Sequence, residues 1–474
     1  MFLLFLISAL IMLKFITDTA FSSITQNLVI LYTIGWGEKL LLNRNYLYIF
    51  FYLALSISVI SVFFSIRETY RQNYFVARLY LINALASSIV LLAALLKIIS
   101  LNSIKPVEFP FYAKYIALPF FSSVIISFAV IPLVIKIAKR FQFMDDPITH
   151  KHPGMLIKKP TPRAGGLAFL LAVFIPALFL LPIFESQKLF GVFLGCTICV
   201  VIGLLDDRKD INPLIRLGGQ FLAALIVTLS GILLVYIPNP FGNAIKLDEY
   251  KFVIDYMGEH KVFYVSVIAT VLWIVTTMNF LSWSNGTDGV YAGLITVSCL
   301  VMSILMLKFY DIDENLKTFI ILSALCSGAG LGMAFFTWPP QKLLWGFGAT
   351  GAALMIAALS IIGSTKVATM LIVLIIPFLD GIFAIVRRLR RGQLPFWGDR
   401  EHLHHKLLEG LGWTKGQVAL FYWTTTIIFG IVGLVTSGQA RALSLLSLSI
   451  ILIVFILFLN FAGNKIKKIK AQNN

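Results

Sequence analysis

The chain has 474 residues, 59% of them hydrophobic and 13% charged, and a mean hydropathy of +0.89. A water-soluble domain is about half apolar and about a quarter charged, so this composition excludes a soluble globular protein. The formal net charge of +17 is spread over short loops between apolar runs, which excludes a nucleic-acid footprint and leaves a topology signal.

The N-terminal MFLLFLISALIMLKF lacks a basic leader and a small-residue cleavage site, so it reads as a first span or anchor. Uncharged runs of about 18 residues or more read as membrane spans. Spans are expected at 2–16, 47–65, 76–100, 113–138, 165–184, 189–205, 214–237, 263–281, 290–308, 318–336, 343–362, 367–387, 418–436 and 441–461. The expected fold class is all-α: a polytopic integral membrane protein of about 14 transmembrane helices. Residues 1–110 form an N-terminal membrane extension without an assigned role, 111–440 a membrane domain, and 441–474 the last span and a basic tail. Basic residues gather in the loops 139–164 and 388–416, in RETYRQ (67–72) and in the tail. These fall on one side, and such residues accumulate on the cytoplasmic side. YDIDENL (310–316), on the other side, is acidic. Cys196-Thr-Ile-Cys199 has the spacing of a redox pair, but no neighbouring charge would activate either thiol. All four cysteines therefore read as packing residues.

The motif-bearing stretches follow in chain order. In KHPGMLIKKPTPRAGGLAF (151–169), Lys158 and Arg163 are phosphate-seeking cations beside a glycine pair that opens a helix. Each could equally be a cation obeying topology. GLLDDRKDINPLIRLGGQ (203–220) places Asp206, Asp207 and Asp210 directly after an apolar span, with Arg216 following. Like charges at that spacing disfavour a helix and raise one another's pKa. A cation resolves the repulsion, and Mg²⁺ takes one or two carboxylates plus substrate phosphates and water. The plainer alternative is an acidic helix end balanced by Arg208 and Lys209. MNFLSWSNGTDGVYAG (278–293) offers Asn279, Asn285 and Asp288 among glycines that permit tight turns. It reads either as a ligand loop or as a simple inter-helix turn. Asp380 lies inside a span, where an ionisable group suggests function; Arg387 or Arg388, about two turns on, would be its partner. In EHLHHKLLEGLGW (401–413), a helix would put His402 and His405 on one face and turn His404 away. These imidazoles, beside basic groups, suit phosphate binding or a base; zinc with Asp399 lacks further ligands.

Taken together the motifs are similar to those of the polyprenyl-phosphate N-acetylhexosamine-1-phosphate transferases, a membrane family that begins cell-wall and O-antigen glycolipids. KKPTPRAGG, GLLDDRKDINPLIRLGGQ and IPFLDGIFAIVRRLRRGQLPFWGDREHLHHKLLEGLGW (376–413) resemble its cytoplasmic motifs in order and spacing, and the resemblance covers roughly 113–437. It implies transfer of a sugar phosphate, GlcNAc-1-phosphate in the first instance, from a UDP-sugar to polyprenyl phosphate. The site would be cytoplasmic, on a multi-pass plasma-membrane protein. Its partners would be the two substrates and the bilayer, with a homodimer as one assembly and no nucleic acid. Asp206, Asp207 and Asp288 would be catalytic and would hold Mg²⁺, with Mn²⁺ as the alternate ion. Asn279, Asn285, Lys158, Arg163, Arg216, His402, His404 and His405 would bind substrate. Two departures stand out. The family's NxxNxxDGxDG reads NFLSWSNGTDG, with Ser282 for an Asn and Asn285 for an Asp. Its MGDxGS aligns with WGFGAT (345–350), so Phe347 stands at the position of a metal-binding Asp. Phe347 supports one alternative, a catalytically impaired lipid-phosphate binder or scaffold. A transporter is the other; the absence of a visible inverted repeat weighs against it.

Overall fold

A computed structural model describes residues 27–32, 39–43, 47–70, 112–147, 159–209, 211–237, 244–255, 259–362, 366–393 and 401–472, with single positions at 10, 14, 17, 84, 157 and 239. The expected spans 2–16 and 76–100 lie almost wholly outside the described residues, and Lys151, Lys158, Asp210 and Asp399 lie outside them too. The chain divides into two units, Met1–Phe121 and Ser122–Asn474. The first contains an antiparallel pair, β1 (Asn27–Tyr32) with β2 (Lys39–Asn43), and helix α1 (Leu47–Tyr70).

The second unit is helical. It runs through α2 (Leu118–Arg140) from Ser122 on, the short pair β3 (Met144–Asp145) and β4 (Thr161–Pro162), α3 (Gly165–Leu180), α4 (Gln187–Lys209) and α5 (Pro213–Leu229). Two short antiparallel pairs follow, β5 (Tyr236–Ile237) with β6 (Ile245–Lys246) and β7 (Phe252–Asp255) with β8 (Glu259–Val262). Then follow α6 (Tyr264–Trp283), α7 (Val290–Leu307), α8 (Leu316–Thr337), α9 (Ala349–Ile361), α10 (Lys366–Val373) and α11 (Ile375–Arg390). The turn α12 (Leu403–His405), α13 (Lys415–Val435) and α14 (Gly438–Gln472) complete it.

Among the described residues, eight helices are long and apolar enough to cross a membrane, or nine if α10 and α11, bent by 79°, count as one span. Helices α3, α5 and α9 are apolar but shorter. Every expected span within the described residues thus coincides with a helix, and the all-α polytopic class holds. Two helices fall short of their expected spans by six residues or more. Helix α5 stops at Leu229 instead of 237, because Ser230 and Gly231 (φ 91°) turn the chain. Helix α9 begins at Ala349 instead of 343, because Gly346 adopts φ 65° and 343–348 stays a loop.

Helices α7 and α8 form the interior. Small residues let them approach closely, as they do where lipid supplies no hydrophobic drive between helices. Hydroxyls then satisfy carbonyls across the contact: Ser323 donates to the Cys299 carbonyl at 2.8 Å, Ser327 to Thr296 at 2.7 Å and Ser303 to Ile320 at 3.1 Å. The four cysteines are free thiols buried in this unit.

Candidate active site

The loop 343–348 organises the site. Its backbone is stitched to the start of α3, with Gly165 N donating to Leu344 O at 2.8 Å and Gly166 N to Trp345 O at 3.0 Å. Leu344 N in turn donates to Pro162 O at 2.8 Å, and Arg163 forms a parallel bridge with Leu344. Arg163 is therefore placed by backbone pairing on both sides. Gly166 of α3 and Gly203 of α4 both face Gly348, and a Cβ on either would fall on the Gly348 backbone. This close approach sets the end of α4 against the loop.

That end carries Asp206 and Asp207, both buried. Asp207 Oδ1 accepts from Arg163 Nε at 2.8 Å and from Phe347 N at 3.1 Å. Its carboxylate rests against Gly346, where a Cβ would collide with it. Asp206 Oδ2 accepts from Arg216 Nη1 at 3.1 Å, and its Oδ1 from Ile211 N at 3.1 Å. The Arg216 guanidinium also lies over the Phe347 ring, 5.2 Å from its centroid. Two adjacent carboxylates, two arginines and one aromatic ring thus form a single connected group. Hydrogen bonds to charged partners contribute about 1.5–3 kcal/mol each, which favours one fixed arrangement over several.

One turn beyond Arg216, buried Gln220 accepts from Asn279 Nδ2 at 2.7 Å and ties α6 to α5. The loop after α6 holds Asn285 in the 3-10 turn Ser284–Gly286. His404 packs on Gly286, with no room there for a Cβ. Asp288 is buried and accepts from Lys415 Nζ at 2.9 Å. Gly289 follows at φ 79°, and its carbonyl accepts from Trp423 Nε1 at 3.0 Å. Tyr291 donates to Ala349 O at 2.6 Å and meets Trp345 edge-on at 4.8 Å, which joins this loop to 343–348. Lys415 begins α13, where Thr414 and Gln417 form a capping box.

The helix expected over 401–410 is present from Leu403 to Gly410, so His404 and His405 lie on it and His402 does not. His402 is the N-cap of α12, with extended backbone (ψ 155°), so it precedes the helical residues. Its ring lies parallel to that of His404 at 5.7 Å, and His404 and His405 are 4.3 Å apart. All three are buried. Asp380 takes His402 as partner, not Arg387 or Arg388 directly: His402 Nδ1 lies 2.8 Å from Asp380 Oδ2.

The structure therefore joins Asp206, Asp207, Arg163 and Arg216 directly and links Asn279 through Gln220. Asp288 is committed to Lys415. Among the described residues no three of the His, Cys, Asp and Glu side chains converge as metal ligands. The expected three-aspartate cluster is not assembled; each carboxylate is closed by a cation of this chain instead. The adjacent Asp206 and Asp207 are hard oxygen donors, however, and fit Mg²⁺ as a pair, since that ion needs only one or two carboxylates beside phosphate oxygens. Sequence reasoning left out Lys415, Gln220 and the Phe347 amide. Gln220 could have been found from its one-turn spacing to Arg216; a backbone amide leaves no residue signature.

The model of the family described as glycosyl transferase family 4 matches residues 189–364. The chain is 27% identical over 345 residues to the "Probable undecaprenyl-phosphate N-acetylglucosaminyl 1-phosphate transferase" of Bacillus subtilis (strain 168), covering 71% of this chain and 88% of that protein. It is 29% identical over 315 residues to the "Decaprenyl-phosphate N-acetylglucosaminephosphotransferase" of Mycobacterium tuberculosis (strain ATCC 25618 / H37Rv), covering 60% and 72% respectively. It is 25% identical over 339 residues to the "Phospho-N-acetylmuramoyl-pentapeptide-transferase" of Orientia tsutsugamushi (strain Ikeda), covering 65% and 89%. The resemblance drawn from the motifs is thereby borne out.

Proposed function

We propose that this chain, a relative of glycosyl transferase family 4 over residues 189–364, transfers GlcNAc-1-phosphate or a similar N-acetylhexosamine-1-phosphate from a UDP-sugar to polyprenyl phosphate. The reaction begins a cell-wall or surface polysaccharide at the cytoplasmic face of the plasma membrane. One observation carries the reading: two adjacent buried carboxylates at the end of α4, each fixed by its own arginine, with Asp207 also set against Gly346.

In the transfer, an oxygen of the lipid phosphate attacks the β-phosphorus of the UDP-sugar. The bond from that phosphorus to the bridging oxygen breaks, and UMP leaves. Such a step needs positioning and charge neutralisation more than covalent help from the protein. Arg163 and Arg216 bind the phosphates, and a diphosphate competes with Asp207 and Asp206 for these guanidiniums. Asn279, Asn285 and the histidine segment orient the nucleotide and diphosphate. Asp206 and Asp207 would hold Mg²⁺ or Mn²⁺, which supplies neutralisation of the diphosphate charge when bound.

The direct test mixes purified protein with sugar-labelled UDP-GlcNAc, polyprenyl phosphate and Mg²⁺. Label should move into the lipid fraction with release of UMP in equal amount. Lipid binding without any UMP release would overturn the reading in favour of a non-catalytic binder.

Phe347 offers a second test. Its amide, not its ring, holds Asp207, so Phe347→Asp should preserve that bond and add a carboxylate beside the existing pair. Mg²⁺ should then raise the thermal midpoint of the variant more than that of the parent chain. Equal shifts in both would mean that the added carboxylate does not reach the ion, and no shift in either would argue that no ion sits at Asp206 and Asp207.

A further inference from the structure

Asp380, Arg387 and Arg391 lie about two and three turns apart along α11 and its C-cap, so they share a face. The histidine segment is latched to that face. Glu401 pairs with Arg387 Nε at 3.1 Å and with Arg391 Nη2 at 2.7 Å. Leu403 N donates to Asp380 Oδ1 at 2.9 Å, so Asp380 caps the first turn of α12 from a different helix. Asp380 Oδ2 takes His402 Nδ1 at 2.8 Å, and Arg388 Nη2 lies 3.3 Å from His402 Nε2. All three side chains are buried: Asp380 is 4% exposed, His402 5% and Arg388 2%.

The chemistry of the partners fixes the roles. A guanidinium only donates, and an ionised carboxylate only accepts. The His402 proton therefore sits on Nδ1, directed at Asp380, and Nε2 accepts from Arg388. Both ring nitrogens are consumed inside the protein, and none remains for a phosphate. Arg388 extends the chain by lying over Trp283, 4.8 Å from the ring centroid, at the end of α6 where the Asn285 turn begins. On the other side His402 stacks parallel to His404, which rests on Gly286 of that same turn.

We infer that His402 does not contact substrate, and that Asp380, His402 and Arg388 form a buried positioning relay that sets His404, with His405 beside it, against the Ser284–Gly286 turn. This revises the expectation that all three histidines bind substrate. The part concerning His404 and His405 rests on the transferase reading; the geometry of the relay does not.

Two measurements on the full chain in lipid nanodiscs test the relay. The first is nitrogen NMR of histidine-labelled protein at pH 8. One ring, assigned by its loss in His402→Asn, should show the Nδ1-protonated tautomer. It should be unchanged by UDP-GlcNAc and should lose that tautomer in Asp380→Asn. An Nε2-protonated ring, or a resonance that moves with UDP-GlcNAc, overturns the inference whether or not transfer is observed. The second is kinetic. Outer residues that orient a site typically affect function by about 10–100-fold, and Asp380→Asn should lower kcat/KM by that order. In a His404→Ala background the same change should cost less than about twofold, because residues acting as one unit are not additive. His402→Asn, whose amide can still donate to Asp380, should retain more activity than His402→Ala. Equal damage from Asp380→Asn in both backgrounds would overturn the relay. Absence of transfer in every chain would count against the transferase reading alone, with the NMR result still deciding the relay.

Discussion

Asp207→Asn is expected to lower transfer of labelled sugar phosphate by about 10²- to 10³-fold, the cost typical of removing one preorganised charge-stabilising group, while the chain stays folded. Both donors to Asp207, Arg163 Nε and Phe347 N, converge on a single oxygen, Oδ1. An asparagine can present its own oxygen there and keep both hydrogen bonds. What it loses is the negative charge, so this substitution separates charge from geometry. Asp207→Ala removes both and leaves a buried amide without its acceptor, so it should also lower the thermal midpoint. The pair is read by lipid-incorporated label alongside thermal unfolding. Full UMP release by the asparagine variant would exclude Asp207 from any charge-dependent role.

Gly166→Ala and Gly203→Ala are each expected to reduce activity by about 100-fold, because misplacing a reacting group by about 1 Å can cost that much. Each added Cβ would fall on the Gly348 backbone, so the loop must move. Overpacking of this kind also costs about 1–3 kcal/mol, so both variants should melt earlier. Gly218, on α5, has nothing within 4 Å of its would-be Cβ, and Gly218→Ala should melt no earlier than the parent chain, since alanine favours the helix over glycine. A Gly166→Ala or Gly203→Ala chain with unchanged activity would mean that the loop does not set the position of Asp207.

Most of the helical architecture was legible in the sequence, because apolar runs bounded by charge or glycine leave little choice inside a bilayer. The misplaced ends share a cause. The run from 343 is apolar enough to continue as helix, but its backbone is needed elsewhere: the Phe347 amide is spent on Asp207 and the Trp345 carbonyl on Gly166. Hydropathy registers side chains and is blind to such use. The aspartates after the α4 span were legible as a group, Asp206, Asp207 and Asp210, because acids directly after a long apolar helix demand a partner. Which cations would answer them was not. Arg163 and Arg216 were read as waiting for phosphate, and the fold gives each a carboxylate first. Among the histidines, His402 alone departs from the helix expected over 401–410. A helix drawn from 401 assumes that His402 is helical, and the carboxylate of Asp380, distant in sequence, holds it as the cap.

The tie between Phe347 and Asp207 runs through the main chain, so every amino acid except proline could make it. The identity of residue 347 is thereby free to drift without unfastening its neighbours. A lineage could trade an acid for an aromatic ring at that point in one mutational step or a few, keep the scaffold intact, and have the vacated role contested by Arg216, which already leans on the ring. Divergence in chemistry here needs no prior remodelling of the fold.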